Sequence, residues 1–340
     1  MPWKGEKDPY KIWLSEIILQ QTRVEQGLAY YQRFIRHFPT ITRLAAAREQ
    51  QVLKLWEGLG YYTRCRNLLA TAGYIAREKK GEFPDNYKDI SQLKGVGAYT
   101  AAAISSFAFN LPYAVVDGNV SRVLSRVFGI HEPAGTGAGR KTFMALAHEL
   151  LDKRQPGLYN QAIMDFGAVV CKPAAPLCTT CPFREHCIAR REDLVSKLPV
   201  KRKKPGIKKR WFYYLLLDYK GTLAVRQRNG KDIWQGLFEF PLVETKAETK
   251  PALILQQARK NKWLPVTGAA LPDVSALYKQ QLTHQLITGR FIRIRLKKKP
   301  DFINDWQWMD MKKIKKLPIA QYVNQYLRKL PANAETFKGS

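Results

Sequence analysis

The chain has 340 residues, enough for two domains, and its 45% hydrophobic and 25% charged residues are ordinary proportions that exclude a disordered or fibrous protein. Its charge is not ordinary: 57 Lys and Arg stand against 28 Asp and Glu, a formal +29 that attracts polyanions and repels cationic partners. No stretch approaches the roughly 18 uninterrupted apolar residues of a spanning helix, and the opening MPWKGEKDPY lacks an apolar signal core, so nucleic acid outranks a membrane surface and an intracellular protein is expected.

The first half reads as successive amphipathic helices. Asp8 followed by Pro9 opens one, because the carboxylate can cap free N–H groups and proline suits the first turn. That helix is expected to run through KIWLSEIILQQTRVEQGLAYYQRFIRHF to a stop near Pro39, with further helices at Gln51 to Trp56, Arg64 to Lys79, Ala98 to Phe109 and Val120 to Phe128. From Arg190 to Arg210 basic residues dominate, interrupted by Pro199 and Pro205; this marks a domain boundary, either a solvated linker or one that also tracks phosphates. Beyond it the period changes to two in WFYYLLL, TLAVRQ and HQLITGRFIRIRLK, with a turn at Asn229-Gly230, and a last helix spans Ile319 to Leu330. An all-α region over 1–190, a basic linker over 191–210, an α+β domain over 211–330 and a tail over 331–340 are expected.

Four of the five cysteines, Cys171, Cys178, Cys181 and Cys187, fall in one loop with spacing C-x6-C-x2-C-x5-C. In a reducing compartment four thiolates so close argue for a metal centre rather than disulfides, and chemistry alone leaves tetrahedral zinc and a cubane iron–sulfur cluster both open. Cys65 reads as an ordinary buried thiol. Gly95 and Gly97, in Leu93-Lys94-Gly95-Val96-Gly97 between two helical runs, form a tight turn whose N–H groups can approach a phosphate. Asp117 lies immediately before a helix and on spacing alone is a cap. Glu16 interrupts an apolar run, so its carboxyl is either ion-paired or kept protonated by desolvation.

PWK, SEIILQQTRV, LWEGLGYYTRCRNL, LKGVGAYTAAAI, VDGNVSRVLSR and the four cysteines together resemble, in order, the MutY-type adenine DNA glycosylases of the endonuclease III superfamily. The resemblance implies an all-α helix-hairpin-helix glycosylase domain with an iron–sulfur loop over 171–187, followed by an α+β Nudix-like domain. It implies a [4Fe-4S] cluster in preference to zinc, and duplex DNA carrying adenine opposite 8-oxoguanine or guanine as the substrate of a monomeric, cytoplasmic or nucleoid-associated repair enzyme, with repair or replication partners unspecified. By position Glu16 would protonate adenine, Asp117 would stabilise the cationic sugar, and Tyr99 and Asn119 would orient them. Trp3, Lys4 and Gln161 would lie near the base. Gln21, Leu59 and Tyr61 would enter the stack around the lesion pair, with Gln20 a further DNA contact and core packing the alternative for Leu59 and Tyr61.

Endonuclease III relatives place a lysine nucleophile where this chain has Tyr99, so no Schiff base can form and a monofunctional enzyme is expected. The rival readings are a bifunctional glycosylase for oxidised pyrimidines, which Tyr99 opposes, and a lesion-binding protein without catalysis, which the retention of both Glu16 and Asp117 opposes. In the C-terminal half IWQGLFEFP is similar to the Nudix fold, yet the stretch after Pro241 lacks the run of glutamates that holds magnesium. Leu282-Thr283-His284 matches the family's 8-oxoguanine-reading loop, with Thr283 and His284 as the reading residues and Leu282 standing where phenylalanine is commoner. Family members also carry a helix before PW, whereas here Met1 nearly abuts it.

Overall fold

The computed structural model describes residues 4–201, 206–265, 272–300 and 306–330. Trp3, Arg202 to Lys204 of the basic stretch and the 331–340 tail lie outside the described residues. The chain divides into two compact units: residues 1–46 with 67–204, and residues 47–66 with 205–340. Residues 47–66 therefore group with the C-terminal unit, a partition that a linear division of the sequence does not contain.

The helices in chain order are α1 Pro9–Leu19, α2 Val24–His37, α3 Ile41–Ala45, α4 Glu49–Trp56, α5 Tyr62–Glu78, α6 Tyr87–Gln92, α7 Ala98–Phe109, α8 Gly118–Phe128, α9 Gly137–Leu150, α10 Pro156–Val169 and α11 Ile188–Arg191. The single helix expected from Asp8 to near Pro39 is two. Gln20, Gln21, Thr22 and Arg23 offer four polar residues in succession, so no apolar stripe crosses them, and Gln21 adopts a left-handed φ of 55°. On the near side α1 is buried along most of its length, while α2 buries only Gly27, Tyr31 and Phe34. Breaking the helix here sets Gln20 and Gln21 in a turn immediately after the α1 segment that carries Glu16.

In the C-terminal unit the strands are β1 Lys208–Tyr219, β2 Thr222–Gln227, β3 Phe238–Glu239, β4 Leu242–Thr245, β5 Asp273–Val274, β6 Tyr278–Gln281, β7 Gln285–Arg295 and β8 Gln307–Asp310, with helices α12 Pro251–Lys260, α13 Met311–Lys316 and α14 Gln321–Leu327. The sheet path is β3-β2-β1-β7-β5, and β1 and β7 run parallel from Lys208 opposite Gln285 to Asp218 opposite Arg295. Within WFYYLLL, Trp211 is half-buried and Phe212 to Leu217 are buried without alternation, because both faces of β1 are covered there. Ile254 and Ala258 of α12 pack with Tyr213, Leu215 and Ile292, while Tyr322 and Tyr326 of α14 pack with Tyr214 and Phe291. Asn229-Gly230 opens a longer loop to Leu237 rather than closing a two-residue turn.

The basic stretch is not uniformly solvated. Leu198 is buried in the N-terminal unit, where its carbonyl accepts from Arg126 Nε at 3.1 Å. Arg210 belongs to β1 and is buried, its guanidinium bridging Asp232 (2.7 Å) and Glu244 (2.6 Å). A cation that can reach two carboxylates is drawn into the fold; those without such partners stay in water.

Candidate active site

Asp8 fixes where α1 begins: Oδ1 accepts from Tyr10 N at 2.9 Å and Pro9 occupies the first turn. Two turns on, Glu16 is only 9% exposed, on a helix whose neighbours are Ile12, Trp13, Ile17 and Ile18. Alanines 101 to 103 let α7 pack along α1, with Gln20 Nε2 reaching Thr100 Oγ1 at 3.3 Å. This brings Tyr99, in the first turn of α7, to hydrogen-bond the Glu16 carboxyl. Burial raises the Glu16 pKa from 4.5 to about 7; the Tyr99 hydrogen bond pulls it down and the Asp117 charge pushes it up. Burial, reinforced by the same two carboxylates, raises the Tyr99 phenol well above 10, so it serves as a donor.

Asp117 caps α8. Its Oδ1 accepts from Asn119 N (2.8 Å) and Val120 N (2.7 Å), and Oδ2 accepts from Asn119 Nδ2 (2.8 Å). Burial raises its pKa, while these donors and Arg122 act in the opposite direction by favouring the anion. Asn119 is itself held, because Oδ1 accepts from Arg122 Nη2 at 2.8 Å. Gly167 permits the α8–α10 approach that makes this possible, since a Cβ there would fall 2.7 Å from Asn119 Cβ. Glu16, Gln20, Gln21, Tyr99, Asp117, Asn119 and Gln161 all line one cavity of about 1010 Å³, at the upper end of the size usual for a small-molecule site. Lys4 stands off that lining on Asp165, at 2.5 Å.

The glycine turn lies between α6 and α7 as expected. Gly95 has φ +82° and a Cβ there would meet Asn67 at 2.8 Å, so glycine is required on both counts. Gly97 opens α7 without a side-chain cap, and a Cβ there would meet nothing within 4 Å. With no side-chain cap, the first-turn N–H groups of α7 are the kind of helix N-terminus to which a phosphate can bind.

Cys171, Cys178, Cys181 and Cys187 line a second, smaller cavity with Arg126, Arg184 and Arg190. Arg126 Nη1 is 3.4 Å from Cys171 Sγ and donates to Lys172 O at 2.8 Å. Among the described residues no three His, Cys, Asp or Glu side chains are disposed to hold a single metal ion; the thiols stand around the cavity. Four soft thiolates with arginines to balance their charge fit a thiolate-ligated iron–sulfur group. Arg122 ties this loop to the first cavity, its Nε donating to Cys171 O at 2.7 Å while Nη2 holds Asn119. Arg122 and Arg126 both lie within VDGNVSRVLSR, but that segment points to no role for them; their presence on a helix otherwise rich in valine and leucine is the sequence signal that both are buried.

The remaining candidates lie in the C-terminal unit. Thr283 and His284 are exposed at the turn between β6 and β7, closed by Leu282 N to Gln285 O at 2.7 Å and by Lys208 N to His284 O at 3.0 Å. Tyr61, 42% exposed, hydrogen-bonds its hydroxyl to Thr283 Oγ1, and the Arg64 guanidinium lies over its ring at 5.6 Å. Leu59 is buried. The segment carrying Tyr61 is anchored through Glu57, whose carboxylate accepts from Ile319 N (3.1 Å) and Asn324 Nδ2 (2.8 Å). α12, PALILQQARK, carries no carboxylate.

Residues 14–148 match the model of the HhH-GPD superfamily base excision DNA repair proteins, and residues 212–329 match that of the NUDIX domain. An adenine DNA glycosylase of Buchnera aphidicola is 36% identical over 260 residues, covering 76% of this chain and 73% of the relative. The adenine DNA glycosylase of Homo sapiens is 41% identical over 199 residues, covering 56% of this chain and 36% of the human protein. Among solved structures, a thermostable thymine-DNA glycosylase superposes with TM-score 0.52 at 29% identity, over 56% of this chain and 88% of that one. Among the described residues no helix is long and apolar enough to cross a membrane.

Proposed function

We propose that this chain, which belongs to the adenine DNA glycosylase family, hydrolyses the N-glycosidic bond of adenine mispaired with 8-oxoguanine or guanine in duplex DNA. The observation that carries the reading is a pair of carboxyls in one cavity, both raised by burial but unequally supplied with donors: Glu16, pushed up to about 7, has Tyr99, whereas Asp117 has the Asn119 and Val120 N–H groups at a helix N-terminus and Asn119 Nδ2, which favour its anion. Stacked adenine is out of reach of any side chain, so the nucleotide must be extruded into the cavity. There Glu16 delivers its proton to N7, which turns the base into a neutral leaving group. As the bond lengthens positive charge grows on the sugar, and the Asp117 carboxylate stabilises or transiently bonds it. Tyr99 orients Glu16 and Asn119 orients Asp117. Trp3, Lys4 and Gln161 attend the base, Gln21 enters the stack and Gln20 is a further DNA contact; Tyr61, which is exposed, offers a flat side chain to the duplex, whereas burial of Leu59 favours core packing for it. The N–H groups at Gly95 and Gly97 bind a phosphate, and Thr283 and His284 read the 8-oxoguanine. Tyr99 is no amine, so the product is an abasic site on an intact strand.

Incubation with A:8-oxoguanine and A:G duplexes tests this. Strand breaks are expected only after hot alkali; intact duplex after alkali would sink the reading, and breaks before alkali would favour a lyase. In the same assay His284→Ala is expected to bring the two rates several-fold closer together, and an unchanged ratio would remove the loop from lesion reading.

Cys171, Cys178, Cys181 and Cys187 would hold a [4Fe-4S] cluster, which fixes the loop and adds local charge. Iron and sulfide analysis should find about four of each per chain, as that stoichiometry requires; zinc in their place would make the site a zinc centre.

A further inference from the structure

Gln161 lines the cavity that holds Glu16, but an amide side chain is ambiguous: it can present either a carbonyl or an NH2 group to a ligand. Here the ambiguity is removed by Asp165, four residues later on α10. Gln161 Nε2 donates to Asp165 Oδ1 at 3.0 Å, and Lys4 Nζ occupies Oδ2 at 2.5 Å. An ionised carboxylate only accepts, so this i, i+4 contact engages one of the two N–H groups and holds the amide nitrogen, not the carbonyl, toward Asp165. The carbonyl Oε1 of Gln161, which has no hydrogen-bond partner among the described residues, is left as the end available to the cavity.

We propose that Asp165 is a positioning residue that sets the polarity of Gln161 and thereby selects a purine bearing an amino group at C6 over one bearing a carbonyl there. The proposal rests on the cavity being the adenine site. The exposed edge of adenine carries an acceptor at N7 beside a donor at the 6-amino group; guanine and hypoxanthine carry acceptors at both N7 and O6. A protonated Glu16 is a donor for N7 in every case. A fixed Oε1 in the same cavity completes the match to adenine, and against a 6-keto purine it opposes one lone pair with another. Discrimination then comes from the carboxylate behind the glutamine as much as from the glutamine.

Single-turnover base release from duplexes with adenine, hypoxanthine or unsubstituted purine opposite 8-oxoguanine tests this. In Asp165→Asn the new side chain both donates and accepts, so Gln161 can turn either end to the cavity. The adenine-to-hypoxanthine rate ratio is expected to fall roughly tenfold, the worth of one buried hydrogen bond of fixed polarity, while the purine duplex, which has no C6 group to read, changes far less. Asp165→Glu, which restores an acceptor-only group, should recover most of the ratio, and Gln161→Leu should lose it. A common drop on all three duplexes, or a ratio that does not move in either Asp165→Asn or Gln161→Leu, overturns the proposal. A wild-type protein that releases no adenine overturns the glycosylase reading instead, and with it the basis of this one.

Discussion

Glu16→Gln is expected to bind the mispaired duplex normally and to release adenine about 10³-fold more slowly, within the 10²–10⁴ range that one general acid contributes. The amide matches the carboxyl in shape, and it can accept the Tyr99 hydroxyl, but it has no proton to deliver to N7. The pH dependence gives a second, independent mark. With the Glu16 pKa at about 7, the wild-type rate should fall as pH rises through 7, because the acid is then ionised; the residual rate of the variant should show no such step. The folding linkage has the same sign. A carboxyl whose pKa is higher folded than unfolded stabilises the protein below its unfolded value of 4.5 and loses that stabilisation as pH rises through about 7. Above pH 7 wild type therefore carries a buried anion costing on the order of 3 kcal/mol, which the neutral glutamine avoids. The variant should melt higher than wild type at pH 8 and bind DNA at least as well. Slower catalysis in a more stable protein separates lost chemistry from lost structure. Near-normal turnover by the variant would end the assignment of Glu16 as the acid.

Much of this arrangement is legible in the sequence because its signals are local. A helix start at Asp8-Pro9, a glycine turn between two helical runs, an aspartate before a helix and a cysteine spacing each depend on a few adjacent residues, and the structure has a helix, a turn, a cap and a thiol-lined cavity at those places. What the sequence hides depends on partners far along the chain. Whether Arg210 is solvated or buried is decided by Asp232 and Glu244, 22 and 34 residues away. Glu57 joins residues 47–66 to the C-terminal unit through Ile319 and Asn324, more than 260 residues distant. The helix break at Gln20 to Arg23 is visible as four polar residues in succession, yet high helical propensity on either side masks it; the interrupted apolar stripe and the left-handed Gln21, not propensity, end the helix there. Asp165, and the role though not the place of Arg122, escape motif reading for a related reason: each acts by holding another side chain, which its own neighbours in the sequence do not show.

Asp117→Asn separates the two readings of the second carboxylate. If Asp117 were only a helix cap the substitution would be nearly silent, because asparagine caps as well as aspartate and its Oδ1 can accept from the same Asn119 and Val120 N–H groups. What asparagine cannot supply is charge. Once an extruded nucleotide fills the cavity, an anion facing a developing cationic sugar lowers the barrier by more than it would in solvent, so adenine release is expected to drop about 10²–10³-fold or more. Stability should change by only about 1 kcal/mol, mostly because Asn119 Nδ2 would lose the Oδ2 acceptor it now uses at 2.8 Å. Arg122 limits the damage further, since its hold on Asn119 Oδ1 does not involve Asp117. Measured together, the single-turnover rate and the melting midpoint therefore give a sharp contrast: a large kinetic loss with a small thermal one. A silent variant would reduce Asp117 to its cap and leave the cationic sugar without a counter-charge from this residue; comparable losses in both measurements would mean that the α8 N-terminus had come apart, and that the carboxylate's contribution is structural.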